Sequence, residues 1–212
     1  TDSFYNVSKY RLHRKSKHAI MHEKTYIRQE RIMYYAHIRE DGAKQTVEAH
    51  LSGTAALCGA FAAEFGEKER GEFLGNAHDI GKNSADFQER LRGGKKVDHA
   101  TAGALECAKR HEEQMACCVI GHHGGMPDFG NPKTDYPGAP TCVGRIRKGQ
   151  SDGIPPYHWE GTLPDPGKKP PLTDNFSTAM WTKMLFSCLV DADFLDTEAF
   201  MAETAPQRGG YD

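Results

Sequence analysis

The 212-residue sequence contains no run approaching the roughly 20 apolar residues that a membrane-spanning helix needs. It opens without the charged, then apolar, then small-residue pattern of an export leader, so the expected compartment is the cytosol. No Cys-x-x-Cys occurs. The six cysteines, at 58, 107, 117, 118, 142 and 188, lie mostly inside helix-like apolar patterns, which fits reduced buried thiols rather than a disulfide frame or a thiolate zinc site. A Gly-x-x-x-x-Gly-Lys-Ser/Thr phosphate loop is missing, so no ATP site is expected. Convincing strand alternation is missing as well, which points away from a sheet-based fold. Proline is scarce except between Met126 and Asp174, where ten of the eleven fall.

What the sequence does have is enough apolar residue, 38%, for one sizeable core. Its net charge of −2 is unevenly spread. Residues 1–31 hold eight Lys/Arg against three Asp/Glu and carry +5, which leaves −7 for the remainder. This basic N-terminal extension has three readings: an arm for nucleic-acid phosphates, a tag remnant, or a solvated extension.

Four helical runs follow. "TVEAHLSGTAALCGAFAAEFG" places Val47, Leu51, Ala55, Cys58, Ala62 and Phe65 at steps of three and four, with His50 beside the stripe and an end near Gly66. "GEFLGNAHDIGK" continues into "SADFQERL". "HATAGALECAKRHEEQMACCVIGHH" reads as one long alanine-rich helix, and "NFSTAMWTKMLFSCLVDADFLDTEAF" is periodic through Trp181, Met184, Leu185, Cys188 and Ala192. Residues 126–174, rich in proline and glycine, read as a long irregular excursion between helices.

The polar residues on these runs form a pattern. His50 lies on the first, His78 and Asp79 on the second, Asp98 and His99 open the third, His122 and His123 close it, and Asp191 and Asp193 lie on the last. Each alone is compatible with a hydrogen-bonded core residue. Together they need a common partner, because buried imidazoles and carboxylates are costly unless paired or metal-bound. Imidazole nitrogen with carboxylate oxygen and no thiolate suits manganese, iron, cobalt, nickel or zinc, with magnesium a further candidate that favours more oxygen. Successive helix residues point about 100° apart, so His78 and Asp79 can approach an ion from two directions, and Asp79 has two oxygens with which to bridge a second. Lys82, read as lying on the same helical face, could meet a phosphate oxygen or a developing negative charge.

The ordered set His50, "HDIGK", "DHATAGA", "IGHHGGMPD" and "LVDADFLDTE" resembles the HD nuclease domain of the CRISPR-associated helicase-nuclease of type I interference systems, the Cas-three family. A bare His-Asp pair is a weak signal. The lysine three after the aspartate, the Asp-His-Ala opening a helix and the His-His-Gly-Gly make the ordered set specific. The resemblance covers roughly residues 32–200. It implies an all-α, HD-superfamily helical domain over residues 32–205, with the 126–174 loop as an insertion and residues 206–212 as a tail or the start of a linker to a helicase.

Carried over residue by residue, the resemblance implies that His50, His78, Asp79 and Asp193 surround one metal ion and Asp79, His99, His122 and His123 the other. Lys82 matches the family's active-site lysine, which makes Asp79 and Lys82 the catalytic candidates. Family context selects Asp193, whereas the helix phase read from the apolar stripe slightly prefers Asp191. His37, in "YYAHIRED", is read as a near-site or structural histidine, with His50 preferred as ligand. His13, His18, His22, His111 and His158 match no motif and are read as surface residues.

The implied activity is hydrolysis of single-stranded DNA by a two-metal-activated water, an endonucleolytic cut followed by exonucleolytic degradation. The implied partners are an ATP-dependent helicase domain or subunit and a CRISPR guide-RNA surveillance complex that displaces the strand. The chain is then expected to be an isolated nuclease domain, from a longer protein or as a stand-alone subunit. Two rivals remain: an HD-superfamily nucleotide phosphohydrolase or phosphodiesterase, and a non-catalytic module that metal merely holds together. In the long loop, Arg145, Arg147, Lys148, Lys168 and Lys169 with Tyr136, Tyr157 and Trp159 could form a strand-guiding lip, but six Lys/Arg meet six Asp/Glu there, which equally fits a solvated loop or a docking surface.

Overall fold

A computed structural model describes residues 32–202 of the chain. The basic extension over residues 1–31 and the tail over residues 206–212 lie outside the described residues. The described part is mostly helical, as expected, with one addition. A short antiparallel hairpin precedes the first helix, formed by β1 (Tyr35–Ile38) and β2 (Lys44–Thr46). Its pairing shifts register between Tyr35 and His37. Four-residue and three-residue strands are too short to leave an alternating pattern in sequence, which is why the expectation of no strand fails here.

Thr46 ends β2 and also caps α1 (Val47–Ala63), its hydroxyl accepting from Ala49 N at 3.1 Å. The expected stripe faces inward along α1: Val47, Leu51, Ala55, Cys58 and Ala62 are buried, and so is His50. Phe65 falls beyond the helix end. The next helix, α2 (Lys68–Ala77), crosses α1 closely because Gly75 has no side chain; a methyl there would collide with the Ala55 backbone. Contrary to the expected run, α2 stops at Ala77. His78 caps it, Asp79 leaves helical geometry (φ −117°, ψ 23°), and Ile80–Lys82 form one 3₁₀ turn. Gly81 in that turn lies against the His99 carbonyl, where a β-carbon would not fit, so the turn is drawn onto the start of a later helix.

After α3 (Ala85–Arg90), the expected single alanine-rich helix is two: α4 (Ala100–Ala108) and α5 (Glu113–Gly121). His111 adopts a left-handed conformation (φ 59°), and the Glu112 amide closes onto the Cys107 carbonyl at 3.1 Å. That break places Glu112 beside a fully buried Arg70, whose guanidinium donates to Glu67 at 3.1 Å, to Glu112 at 2.9 Å and to the Gly167 carbonyl at 3.1 Å. The long loop is likewise less irregular than its composition suggests, because it contains α6 (Cys142–Gln150), capped by Thr141 and packed on α4. Gly144 and Gly149 lower its intrinsic helix propensity, and tertiary contact overrides that.

The last helix, α7 (Asn175–Met201), packs across α1, α2 and α5. Trp181, Leu185, Leu189 and Ala192 are its buried stripe; Leu185 and Leu189 are completely buried, each contributing about 1.5–3 kcal/mol of apolar transfer. All six cysteines are free thiols, five buried and Cys188 half-buried. Among the described residues, no helix is long and apolar enough to cross a membrane.

Candidate metal centre

The four-step rhythm of α7 carries two aspartates onto the surface that meets α1. Asp193 follows Leu189 by four residues, and Asp196 follows Ala192 by four. Referred to the residues that are buried in α7, Asp193 is about 80° and Asp191 about 120° from the stripe centre. Asp191 is exposed and Asp193 joins the cluster. The preference of helix phase for Asp191 came from counting Met184 and Cys188 as core, yet Met184 is 41% exposed.

Two groups of side chains converge here, each with ligand atoms within 4.8 Å of one another: His50, His78, Asp79 and Asp193, and Asp79, His99, His122 and His123. Asp79 is common to both. Its Oδ2 lies 3.2 Å from His50 Nε2 and 3.3 Å from His78 Nε2, while its Oδ1 lies 3.4 Å from both His99 Nε2 and His122 Nε2. Asp193 Oδ1 approaches His50 Nε2 at 3.3 Å and His78 Nε2 at 3.5 Å. His123 Nε2 lies 2.8 Å from His99 Nε2. Every residue that the sequence reading placed in the two ligand sets is therefore in the cluster.

The rings are held from behind. His78 Nδ1 is 2.8 Å from the Gly75 carbonyl, His122 Nδ1 2.6 Å from that of Val119, and His99 Nδ1 3.2 Å from that of Val97. A carbonyl can only accept, so these Nδ1 atoms donate, and each ring turns its Nε2 to the interior. His50 Nδ1 is 2.7 Å from Asp196 Oδ2, which also accepts from Gln45 Nε2 at 2.8 Å. Imidazoles oriented by a carbonyl or carboxylate on the far nitrogen are a recurrent property of metal-ligating histidines.

Asp196 escaped the sequence reading. The signal was present in its spacing, three residues after Asp193 on the same helix face.

The charge balance shows what the cluster needs. Burial raises the cost of ionising Asp79, but Lys82, His78 and His99 outweigh that cost and hold its carboxyl well below the ordinary value. Lys82 Nζ stands 2.6 Å from Asp79 Oδ2 and 3.2 Å from His37 Nε2. It does so from the 3₁₀ turn, not from the face of a continuous helix as expected. Burial also opposes charge on His50, yet Asp193, Asp196 and Asp79 together lift its pKa to about 10. His37 moves the other way, to about 3, through burial and then Lys82. His37 is thus a neighbour of the cluster, stacked edge-on against His50 with centroids 4.8 Å apart, rather than a member of either set.

Two buried atoms in the centre, Asp79 Oδ1 and His122 Nε2, have no hydrogen-bond partner. Orphaned buried polar atoms are costly, and a cation between the two would satisfy both. The nitrogen and oxygen donor set, free of thiolate, fits borderline divalent metals.

The side chains proposed for a strand-guiding lip are largely committed elsewhere. Arg145 bonds Asp98, Thr101 and the Ile120 carbonyl. Arg147 bonds the carbonyls of Asp135 and Pro132, and Lys169 bonds the His111 carbonyl. Tyr157 donates its hydroxyl proton to Glu106 at 2.6 Å.

No protein-family model matches the sequence, and no curated protein matches it.

Proposed function

We propose that the chain is a metal-dependent single-stranded DNA nuclease of the HD superfamily, making an endonucleolytic cut and then degrading the strand, as its resemblance to the CRISPR-associated helicase-nucleases implies. The observation that carries this reading is Asp79, whose two oxygens face two separate histidine sets while Lys82 lies against one of them. One carboxylate serving two sets is the arrangement that a pair of bridged cations requires.

Manganese, iron, cobalt, nickel or zinc suits the donors, with magnesium less favoured by so many nitrogens. Two divalent cations held there would supply an acidified water and offset charge on both the attacking and the leaving oxygen of a phosphodiester. The chain's own residues do the rest. The carbonyls behind His78, His99 and His122 and the carboxylate behind His50 fix ring orientation. Lys82 brings an ammonium to the centre, where it can meet a phosphate oxygen, and His37 Nε2 with Asp79 holds that ammonium in place. An ATP-dependent helicase that feeds the strand, and a guide-RNA complex that exposes it, complete the proposal.

The test is cleavage of circular single-stranded DNA by metal-stripped protein to which manganese, nickel, cobalt, zinc or magnesium is returned. The expected result is restored cutting by transition metals and no cutting by folded Asp79→Ala protein. Hydrolysis of mononucleotides with circular DNA left intact would favour the nucleotide phosphohydrolase instead. Metal binding without hydrolysis of either would favour a structural metal module, in which Lys82 serves only to neutralise Asp79.

A further inference from the structure

The metal-ligand cluster opens most widely at His123. His50, His78 and Asp79 have no exposure, the side chains of His99 and Asp193 are 10% and 15% exposed, and His123 is exposed. A substrate phosphate therefore arrives past His99 and His123.

The segment that leads directly into His99 is the turn between α3 and α4. Residues 90–96 ("RLRGGKK") contain four cations and no acid. Residues 92–96 are all exposed. Among the described residues, the side chains of Arg92, Lys95 and Lys96 have no hydrogen-bond or ion-pair partner. The turn itself is built rather than loose. The Glu89 carbonyl accepts from the amides of both Arg92 and Gly94 at 3.0 Å, and Gly93 takes the left-handed conformation (φ 96°) that closes it. Lys96 is three residues from His99, so at most about 11 Å of chain separates them. The acid that follows this run, Asp98, is neutralised: Arg145 Nη2 lies 3.1 Å from its Oδ1, and Thr101 donates both its amide and its hydroxyl.

We propose that Arg92, Lys95 and Lys96 form a track that binds the sugar-phosphate backbone of single-stranded DNA and delivers it to the opening at His99 and His123. The proposal rests on the nuclease reading for its orientation and names where that substrate is held. Three free cations beside an opening match a ligand with repeating negative charge. Because the central carboxylate is fully buried, the strand must bend inward to reach it, which a single strand does far more readily than a duplex.

The experiment measures anisotropy of a labelled oligothymidine bound by the whole chain in EDTA across a series of salt concentrations. The track variant is Arg92→Ala/Lys95→Ala/Lys96→Ala. The charge-matched control is Lys68→Ala/Lys109→Ala/Lys183→Ala, at three exposed lysines away from the cluster. Three phosphate contacts, each releasing about 0.7 counterion, predict a salt slope shallower by about 2 and affinity lower by about 100-fold at 0.1 M salt in the track variant. The control should lose less than about threefold. The proposal is overturned if the native chain does not bind the oligonucleotide, if the track variant binds as the native chain does, or if the control loses as much. Hydrolysis of bis(p-nitrophenyl) phosphate with added manganese, a diester too small to touch the track, judges the nuclease reading separately. The track variant should retain that hydrolysis, and its absence from the native chain would sink the nuclease reading without touching the binding result.

Discussion

Replacing Asp196 by alanine should weaken metal binding at one of the two candidate ligand sets and spare the other. His50 is fully buried and its Nδ1 has one partner at 2.7 Å, the Asp196 carboxylate. Without that acceptor the ring has two choices. It can keep Nδ1–H unpaired in the interior, which costs about 1–3 kcal/mol. Alternatively it can give up the Nδ1 proton and keep the one on Nε2, which points a hydrogen at Asp79 and Asp193 in competition with an ion. Either outcome lowers metal affinity at the His50 set by about 10- to 100-fold, equivalent to about 1.4–2.7 kcal/mol. In the His99, His122 and His123 set, carbonyls of Val97 and Val119 hold His99 and His122 independently of Asp196, and this set should be unaffected. Isothermal titration of manganese or zinc into metal-free protein resolves the two. Asp196→Asn, whose amide oxygen still accepts from Nδ1–H, should fall between alanine and the native protein. An unchanged two-site isotherm for Asp196→Ala would refute the claim that Asp196 orients a ligand.

Further tests bear on the scaffold. Arg70→Met leaves the buried Glu67 without its cation and Glu112 with only Lys169, at 3.4 Å, and should cost about 3–5 kcal/mol in denaturant unfolding; a loss under about 1 kcal/mol would mean that the buried arginine is dispensable. Thr46→Ala removes the cap of the helix that carries His50 and should cost about 1 kcal/mol, read from the urea midpoint. Asp174 caps α7, and hydrogen bonds from the Ser177 amide and hydroxyl hold its carboxyl below the ordinary 3.8. A depressed carboxylate contributes stability above its unfolded pKa and loses it as pH falls through the folded value. Asp174→Ala should therefore lower the melting temperature at pH 7, with the gap closing below pH 3.8, and a gap that persists in acid would contradict the charge-based account.

Much of the site is legible in the amino-acid sequence. Histidine and aspartate recur on helical runs beside apolar stripes, and burial of those stripes makes their polar neighbours converge whatever the detailed path of the chain. The helical class follows from the three-and-four spacing of α1 and α7, and the reduced thiols from cysteines embedded in such patterns. Local patterning could not report where helices break. The turn after Ala77 exists because Gly81 packs on the His99 carbonyl, and the break before Glu112 coincides with the buried Arg70 that Glu112 pairs with. Both are contacts between segments distant in sequence. Periodicity likewise misjudged α7 by counting Met184 as core, and so leaned to Asp191 when the neighbouring helix α1 selects Asp193 and Asp196. Residue type and spacing thus determined which side chains could share an ion. Only the packing of α1, the 3₁₀ turn, α4, α5 and α7 around Asp79 decided which atoms face one another, because hydrogen-bond and ligand geometry is set across helices rather than along them.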